Sequence, residues 1–420
     1  MARQTVVSAT NPGARCYPRP VIATLDKEPP CPELETEERT GSTSPARKLS
    51  AEQRPFETVG PGTWDGLVAA NPWATPFSRW AFHRAWWDAY SGSAHDQTLV
   101  VVDPSSPDDR PIGIVPLMHR HEVEPDDAAM HTTIRHGSGP ELTPVAPHAK
   151  AIFFGASYHA DYATILAAPR DLAAVTRAVV EHLAAAAPDG ADPWDVVDLR
   201  RLRCGDPVAD ELAAAFGDRE MGAGWTLNVE REDVCPVLTL GDVGTFDDYL
   251  ATLGKKDRHE IRRKVRRAES AGEVMLTDSS DPLADLEAFI DLHQRRWGAA
   301  GLFPPTPGGA ASRTFFRRIF ELLGPDGTIH LAFLTVGGKR IAAGVHLEDD
   351  DDVLYFNAGV DPDARDLSPG VVMVAKYVER AIASGRKRLD FLRGDESYKY
   401  EWGAVDEPIQ RLLVRRTAER

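Results

Sequence analysis

The sequence is poor in cysteine and has no long apolar run, and each shortage excludes a class of protein. The four cysteines are Cys16, Cys31, Cys204 and Cys235. They show neither Cys-x-x-Cys nor Cys/His ligand spacing, so we expect reduced thiols rather than a zinc site or a disulfide framework. The most apolar stretch, 171–188, contains Arg177, Glu181 and His182 and is shorter than the about twenty apolar residues of a membrane span. Residues 1–50 contain no secretory signal pattern, which predicts a cytoplasmic protein.

Positive charge is also scarce. Against 64 acidic residues the chain has 48 Lys and Arg, a formal net charge of −16. This balance argues against a general nucleic-acid binder and favours solubility. The length of 420 residues suits two domains. Because residues 1–52 are rich in Pro, Glu, Ser and Thr and lack apolar periodicity, we predict a disordered tail there, followed by domains at 53–238 and 239–420.

The two predicted domains repeat one order of elements: strand, turn, strand, connection, strand, helix, strand. In the first half the predicted strands are 98–103, 112–118, 132–136, 162–167 and 194–199, and the helix is 171–187. In the second half the predicted strands are 330–336, 340–347, 353–360 and 388–392, and the helix is 369–384. Even the closing strands are alike, with Asp195-Val-Val-Asp-Leu-Arg200 in the first half and Leu389-Asp-Phe-Leu-Arg393 in the second. The pattern is interrupted at Pro236–Asp242, where we place the boundary. This repetition predicts a mixed α/β chain built from two copies of one fold.

A helix start in the second half has the features of an anion site. Ser368 is a natural N-cap, Pro369 suits the first turn, and Gly370 lets a ligand approach the backbone. Free N–H groups and the helix macrodipole favour an anion such as a pyrophosphate at such a place. On these residues alone, an ordinary capped helix is the better explanation of the pattern.

The stretch from Ile329 to Gly403 resembles the acetyltransferase domain of the CelD-like and FemAB-like branch of the GNAT superfamily. The matching motifs are Arg340-Ile-Ala-Ala-Gly344, Leu354-Tyr-Phe-Asn-Ala-Gly359, Leu367-Ser-Pro-Gly370, Leu389-Asp-Phe-Leu-Arg-Gly-Asp395 and Tyr398-Lys-Tyr-Glu-Trp-Gly403. The basic segment Lys255–Lys264 resembles that of the same family, and the first half resembles its degenerate N-terminal copy. The resemblance implies a tandem pair of GNAT-like domains, each with a mixed, strongly twisted sheet flanked by helices.

The resemblance also implies where donor and acceptor meet, between two parallel strands that splay apart. By this likeness the donor, acetyl-CoA or another acyl-CoA, would bind to Asn357, Gly359, Ser368, Gly370 and Val371. Tyr398 would protonate the leaving thiolate, Arg393 would lie at the end of the closing strand, and Asp395 and Glu396 are candidate bases. The acceptor would contact Lys399, Trp402 and the basic-helix residues Arg258 and Arg262. No covalent nucleophile is required, because an amine or hydroxyl attacks the acyl carbon directly.

One departure concerns the donor. The usual acetyl-CoA signature, Q/R-x-x-G-x-G/A, is not matched, since Arg365 lies five residues before Gly370 and no second glycine follows. Two alternatives to acyl-CoA-dependent transfer to a sugar, polysaccharide precursor or peptide therefore stay open. One is aminoacyl-tRNA-dependent transfer to a cell-wall precursor, although 273–298 is too short for an inserted helical hairpin. The other is a non-catalytic module that binds glycans or polyanions.

The basic segment is compatible with a solvated helix face or with an anionic ligand, and tRNA is the one nucleic acid among the candidate partners. We expect no metal: the acidic run Glu348–Asp352 fits a turn between two strands, and the histidines show no zinc spacing. The sequence does not determine the acceptor or the oligomeric state.

Overall fold

The computed structural model describes residues 48–120, 142–146, 148–186, 193–218, 224–241 and 243–417. Its helices are α1 (Pro61–Ala70), α2 (Trp80–Tyr90), α3 (Leu172–Ala185), α4 (Val208–Gly217), α5 (Phe246–Thr252), α6 (Lys255–Ala271), α7 (Pro282–Trp297), α8 (Pro307–Leu323), α9 (Pro369–Ala383) and α10 (Ser397–Glu401). Its strands are β1 (Ser50–Gln53), β2 (Ala94–Asp96), β3 (Leu99–Val102), β4 (Gly113–Val115), β5 (Leu117–Arg120), β6 (Ala151–Phe154), β7 (Leu166–Ala167), β8 (Val196–Arg203), β9 (Trp225–Thr239), β10 (Val274–Asp278), β11 (Ile329–Val336), β12 (Lys339–Glu348), β13 (Asp352–Val360), β14 (Arg388–Asp390) and β15 (Val405–Arg416). Residues 1–47 of the predicted tail and the strand predicted at 132–136 lie outside the described residues.

The prediction that the tail extends to residue 52 is wrong at its end. Strand β1 pairs antiparallel with β3 from Ser50 opposite Val102 to Gln53 opposite Leu99, in a four-stranded sheet of order β1-β3-β4-β7. Leu49 is 5% exposed and belongs to the first-half core. A single apolar residue and an edge strand of four residues give too short a periodic signal to be recognised in a polar sequence.

Within the described residues, eleven strands form one continuous sheet in the order β10-β11-β12-β13-β14-β9-β15-β8-β6-β5-β2. The order reads almost symmetrically outward from the central pair β9 and β15. On one side β13 and β14 run parallel, with Leu354 opposite Asp390. On the other side β6 and β8 run parallel, with Phe153 opposite Asp198. The mixed α/β class and the tandem arrangement predicted from the repeated element order are therefore confirmed.

The last strand of each half, β9 in the first and β15 in the second, pairs with a strand of the other half. Strand β9, which ends the first half, pairs with β14 of the second half, and β15 at the end of the chain pairs with β8 of the first. The two exchanged strands also pair with each other along 225–237 and 405–416. The predicted boundary at 238/239 thus falls at the last residues of β9, inside a sheet that is continuous across it.

Two prolines behave differently from the sequence prediction. Pro116 splits the single strand expected at 112–118 into β4 and β5, which belong to different sheets, because proline has no N–H to continue a ladder. Pro236 was expected to interrupt the chain pattern, yet it lies inside β9. Its carbonyl accepts a hydrogen bond from the Phe391 N–H, so Pro236 takes part in the sheet as an acceptor.

The helices cover both faces of the large sheet, and one core joins the two halves. Helix α2 packs on α8, where the Phe82 and Phe315 rings lie 5.3 Å apart and His159 stacks on Phe315 at 4.0 Å. Phe356 of β13 continues this cluster, with its ring 5.8 Å from that of Phe316. Among the described residues, none of the helices is long and apolar enough to cross a membrane.

The cysteine prediction needs one correction. Cys235 is a buried free thiol, as expected, whereas Cys204 is disulfide-bonded. Pairing between cysteines that are far apart in sequence depends on the fold, so their spacing alone carried no signal for it.

Strand β1 gives a testable consequence. We expect a chain that begins at Arg54 to unfold several degrees below one that begins at Lys48, because burial of Leu49 alone contributes about 2 kcal/mol and the β3 edge loses its partner. Thermal unfolding followed by circular dichroism measures the difference, with Glu52→Ala, an exposed position of β1, as the control. Equal midpoints for the two chains would show that β1 contributes nothing.

Candidate active site

The parallel strands β13 and β14 separate after three paired residues. Their pairing ends at Leu354 and Asp390; beyond it β13 continues along β12 while the chain after β14 turns away. In the same region β13 bulges, since Val345 pairs with Asn357 but Leu347 pairs with Leu354. A bulge leaves backbone groups outside the ladder. The structure thus contains the splayed strand pair that the resemblance implied.

Two non-glycine residues with positive φ flank this opening. Ser368, before α9, has φ 53° and ψ 53°, and Leu392, two residues after β14, has φ 57°. Left-handed backbone is costly for residues with a Cβ, and such strain concentrates at functional sites. Leu392 is held there by its N–H, which donates to Asp390 Oδ1 at 2.7 Å.

The first turn of α9 has fewer free backbone N–H groups than a helix whose first four N–H groups are all unpaired. Pro369 has no N–H, and the N–H groups of Val371 and Val372 both donate to the Ser368 carbonyl. Gly370 therefore supplies the backbone donor that this turn presents, and an added Cβ there would meet nothing within 4 Å. The Arg267 guanidinium of α6 reaches the same turn, 3.4 Å from Ser368 Oγ. The place suits an anion, with one backbone N–H and a cationic side chain.

Asn357 and Gly359, predicted to bind the donor, face helix α7. A Cβ at Gly359 would lie 2.3 Å from the His293 backbone nitrogen, so glycine is required for α7 to pack on β13. Burial lowers the pKa of His293 to about 4, while its hydrogen bonds to Gln294 Oε1 and to Asn357 oppose the shift. The structure thus gives Gly359 a packing role and places Asn357 against the His293 ring.

The two tyrosines of α10 have different surroundings. Tyr398 is partly buried, with its ring 5.9 Å from that of Phe391, which follows β14. Burial raises the pKa of Tyr398, so its hydroxyl keeps the proton that a general acid needs. Tyr400 instead donates a hydrogen bond to Asp406 Oδ1 at 2.6 Å. Of the two, Tyr398 is the one placed beside the splayed strands.

From the sequence alone, the Asp390 side chain would be assigned to hydrogen bonds with buried backbone groups. In the structure it is the most distinctive acid of the site. Its carboxylate is fully buried at the point where the strands part, and Oδ2 accepts a 2.6 Å hydrogen bond from the Tyr162 hydroxyl of the first half. Burial raises the pKa of Asp390 to about 7, although the Tyr162 hydrogen bond opposes the shift. Burial also raises the pKa of the neighbouring Cys235 thiol.

The predicted residues after β14 are mostly committed to internal contacts. Arg393 is 8% exposed and forms an ion pair with Asp161 of the first half at 3.3 Å. Asp395 is 1% exposed, and Glu396 pairs with Lys399 at 2.9 Å. Arg393 therefore ties the two halves together at the site rather than extending into solvent.

Lys399 and Trp402, predicted to contact the acceptor, are buried. Lys399 Nζ donates to the carbonyls of Leu392, Arg393 and Gly394 at 2.8–3.1 Å, which fixes the loop after β14. Trp402 is 1% exposed and lies in the second-half core. These contacts favour a structural role for both side chains.

The predicted acceptor residues of the basic helix lie away from the α9 turn. Arg258 donates to the Ala251 carbonyl at 3.2 Å, and Arg262 pairs with Asp247 at 2.7 Å. The residue that reaches Ser368 is Arg267, near the end of α6, because the buried stripe of Ile261, Val265 and Ala268 packs that end of the helix on α9.

Sequence reasoning thus missed Arg267, Tyr162 and Asp390 as parts of the site. A signal existed for Arg267, which lies three residues after the basic segment Lys255–Lys264 and continues its positive charge. None existed for Tyr162, since the chain between residues 162 and 390 contains no pattern that links them.

Comparison with known proteins agrees with this geometry. Residues 255–400 match the family model of an acetyltransferase (GNAT) domain. No curated protein matches the chain in sequence. Among solved structures, the chain is similar to FemX, at 11% identity and a TM-score of 0.53 over 84% of this chain and 96% of that one. It is also similar to a conserved protein from Bacteroides thetaiotaomicron (13% identity, 86% and 98% covered, TM-score 0.48) and to L-PGS from Bacillus licheniformis (11%, 86% and 93%, 0.48).

The family match covers the splayed strands, the α9 turn and α6. Residues 255–400 are therefore similar to an acetyltransferase (GNAT) domain. The fold of the whole chain is similar to that of FemX.

The raised pKa of Asp390 predicts a specific dependence of folding stability on pH. Its pKa of about 7 in the folded protein lies above the about 3.9 of an unfolded aspartate, so the folded state binds the proton more tightly. Between these values, the Asp390 contribution to folding stability falls as pH rises. We expect Asp390→Asn to reduce the loss of stability between about pH 5 and 8, measured by urea unfolding. Asp210→Asn, at an exposed position of α4, is the control, and an unchanged slope in Asp390→Asn would contradict the assignment.

Proposed function

We propose that this protein is an acyltransferase that moves an acyl group from acyl-CoA to an amine or hydroxyl of a sugar, polysaccharide precursor or peptide. The observation that supports it most directly is the splayed pair β13 and β14 beside the α9 turn. In this proposal the acyl group enters between the strands while the phosphates of the donor lie at Gly370 and Arg267. The acceptor attacks the acyl carbon directly, without a covalent enzyme intermediate.

The bulge in β13 and the Tyr398 hydroxyl supply the chemistry of this proposal. Backbone N–H groups released by the bulge polarise the acyl carbonyl where negative charge develops. Tyr398, which keeps its proton, donates it to the leaving thiolate as the acyl–sulfur bond breaks. The first half contributes Tyr162 and Asp161, which hold Asp390 and Arg393 in place. Asp395 and Glu396 remain our candidates for accepting the proton of the acceptor.

Aminoacyl-tRNA is the second candidate donor, and the surface of α6 favours it. Lys255, Lys256, Arg263, Arg266 and Arg267 of this helix are exposed. They extend the positive charge beyond the α9 turn, further than a CoA pyrophosphate requires. Competition calorimetry separates the candidates: tRNA that displaces CoA at low salt would support the aminoacyl-tRNA reading, whereas CoA binding unaffected by tRNA would support acyl-CoA.

The α9 turn gives a test of donor binding. We expect Gly370→Glu to weaken acyl-CoA binding by about 1–3 kcal/mol, because a carboxylate would face the donor phosphates. The same carboxylate at a helix N-terminus leaves folding unharmed. Gly370→Ala is the matched control, since its Cβ meets no atom within 4 Å. Isothermal calorimetry measures both variants, and wild-type affinity in folded Gly370→Glu would remove this turn from the donor site.

The two tyrosines give a test of chemistry. We expect Tyr398→Phe to lower turnover by about tenfold or more, equivalent to about 1.4 kcal/mol of barrier, because the leaving thiolate loses its proton donor. Tyr400→Phe and, in the first half, Arg170→Ala are controls, since Tyr400 is bonded to Asp406 and the Arg170 side chain is 84% exposed. Release of free thiol from acetyl-CoA with an amino sugar as acceptor is the measurement. Loss of turnover in Tyr400→Phe with normal Tyr398→Phe would reverse the assignment.

A further inference from the structure

Four metal-ligating side chains lie on one face of β10, β11 and β12, with His346 opposite the bulge of β13. His330 and His346 are directly opposite each other in the β11–β12 ladder, with rings 4.9 Å apart. Asp278 ends β10, and Glu348 ends β12 two residues after His346, on the same side. One ligand atom each from Asp278, His330 and His346 lies within 4.8 Å of the others, which is the one such group among the described residues.

Two of the distances between ligand atoms are close to those around a four-coordinate metal, although Glu348 lies outside the group of three and would have to move toward it. His346 Nε2 lies 3.1 Å from Glu348 Oε1, and His330 Nδ1 lies 3.6 Å from Asp278 Oδ2. Ligands about 2.1 Å from a tetrahedral zinc are about 3.4 Å from one another, so both distances are close to the required value. Two imidazoles and two carboxylates are a common nitrogen and oxygen set for divalent first-row transition ions.

Hydrogen bonds from outside the cluster orient both imidazoles. His330 Nε2 donates to the Gly327 carbonyl at 2.8 Å, which leaves Nδ1 as the nitrogen directed at Asp278. The Tyr377 hydroxyl lies 3.0 Å from His346 Nδ1, which leaves Nε2 directed at Glu348. Such outer contacts are typical of metal-binding histidines, because they fix the ring and its tautomer.

Two cations already balance the two carboxylates, and one of them, Arg386, pairs with Glu348 Oε2 at 2.9 Å. Arg380, in the last turn of α9, binds Asp278 with both terminal nitrogens at 2.5 and 2.7 Å and lies 3.5 Å from Glu348 Oε1. The C-terminal end of a helix also favours positive charge. A metal ion at this place must therefore compete with the Arg380 guanidinium, whose side chain is 27% exposed and has room to move outward.

The cluster also has a route from solvent. Glu348 lines an open cleft of about 490 Å³ between the two halves, together with Asp326, Asp349 and Asp350. Arg79 and Arg386 line the same cleft, so its four carboxylates outnumber its two guanidinium groups. The excess of carboxylates along this cleft raises the local concentration of a divalent cation.

We propose that Asp278, His330, His346 and Glu348 form a binding site for a divalent transition-metal ion of the zinc type, in exchange with Arg380. Helix α9 separates this site from the α9 turn, since Ser368 and Arg380 lie at opposite ends of a helix of 15 residues, about 20 Å long. The metal site is therefore distant from the α9 turn, while His346 lies opposite the bulge of β13.

The test is titration of the full chain, stripped of metal, with Zn²⁺. Calorimetry should show one ion per chain, and His330→Gln and Asp278→Asn should each weaken it by about tenfold or more. Arg380→Gln should strengthen it by about threefold or more, because the competing cation is gone. A fixed ion-pair network predicts the opposite for Arg380→Gln, namely lost stability without tighter metal binding.

The matched control is His95→Gln, which changes the other cross-strand histidine pair of the described residues, His95 with His119 on β2 and β5. It should leave Zn²⁺ affinity unchanged. Co²⁺ as a second probe should give visible absorption bands in the wild type that are lost in His330→Gln. The proposal is overturned if neither the wild type nor Arg380→Gln binds Zn²⁺ saturably, or if His330→Gln binds it as tightly as the wild type.

Discussion

The pairing of β9 with β15 is the interaction on which the rest of the structure depends. These strands have 15 and 12 residues and pair along 225–237 and 405–416 at the centre of the large sheet. Each also closes the edge of the other half, β9 on β14 and β15 on β8. Without this exchange β8 and β14 would present unpaired edges, which is a liability for a strand rich in apolar residues. The two halves therefore depend on each other to fold, because many contacts join residues that are far apart in the sequence, and they are not two independent domains.

The same exchange builds the candidate active site from both halves. Because β9 lies beside β14, the loop that contains Asp161 and Tyr162 reaches the place where β13 and β14 part. The Tyr162 hydroxyl and the Asp161 carboxylate then bind Asp390 and Arg393. A site assembled in this way loses its supports if either half moves, which is the type of preorganisation that acyl transfer requires.

Local patterns in the sequence predicted the elements well where periodicity was strong. The strands near 330–336, 340–347 and 353–360 and the helix near 369–384 agree with the structure. What the sequence could not show was pairing: the exchange of β9 and β15, the contact of Tyr162 with Asp390, and the burial of Lys399 all depend on residues far apart in the chain. Alternation marks a strand but does not identify its neighbour.

Strands β8 and β14, whose sequences are alike, also hold equivalent positions in the two halves. They differ in the groups that surround their buried aspartates. Asp198 and Asp390 hold the same position, each the last parallel partner in its ladder, opposite Phe153 and Leu354. Burial opposes ionisation of both. Around Asp198, however, two hydrogen bonds from Arg411 at 2.6 and 2.7 Å act together with the charges of Arg411 and Arg200, and in sum they outweigh burial and lower the pKa of Asp198.

Asp390 has the neutral hydroxyl of Tyr162 in the corresponding place, and its pKa stays near 7. A carboxylate locked to an arginine keeps its charge throughout the neutral range, whereas one held by a hydroxyl is able to gain or lose a proton there. Arg411 belongs to β15, which pairs with β8 of the first half. The same strand therefore keeps Asp198, the buried acid of β8, permanently charged. The duplicated fold thus retains two equivalent carboxylates, and their partners leave only the one in the second half titratable near neutral pH.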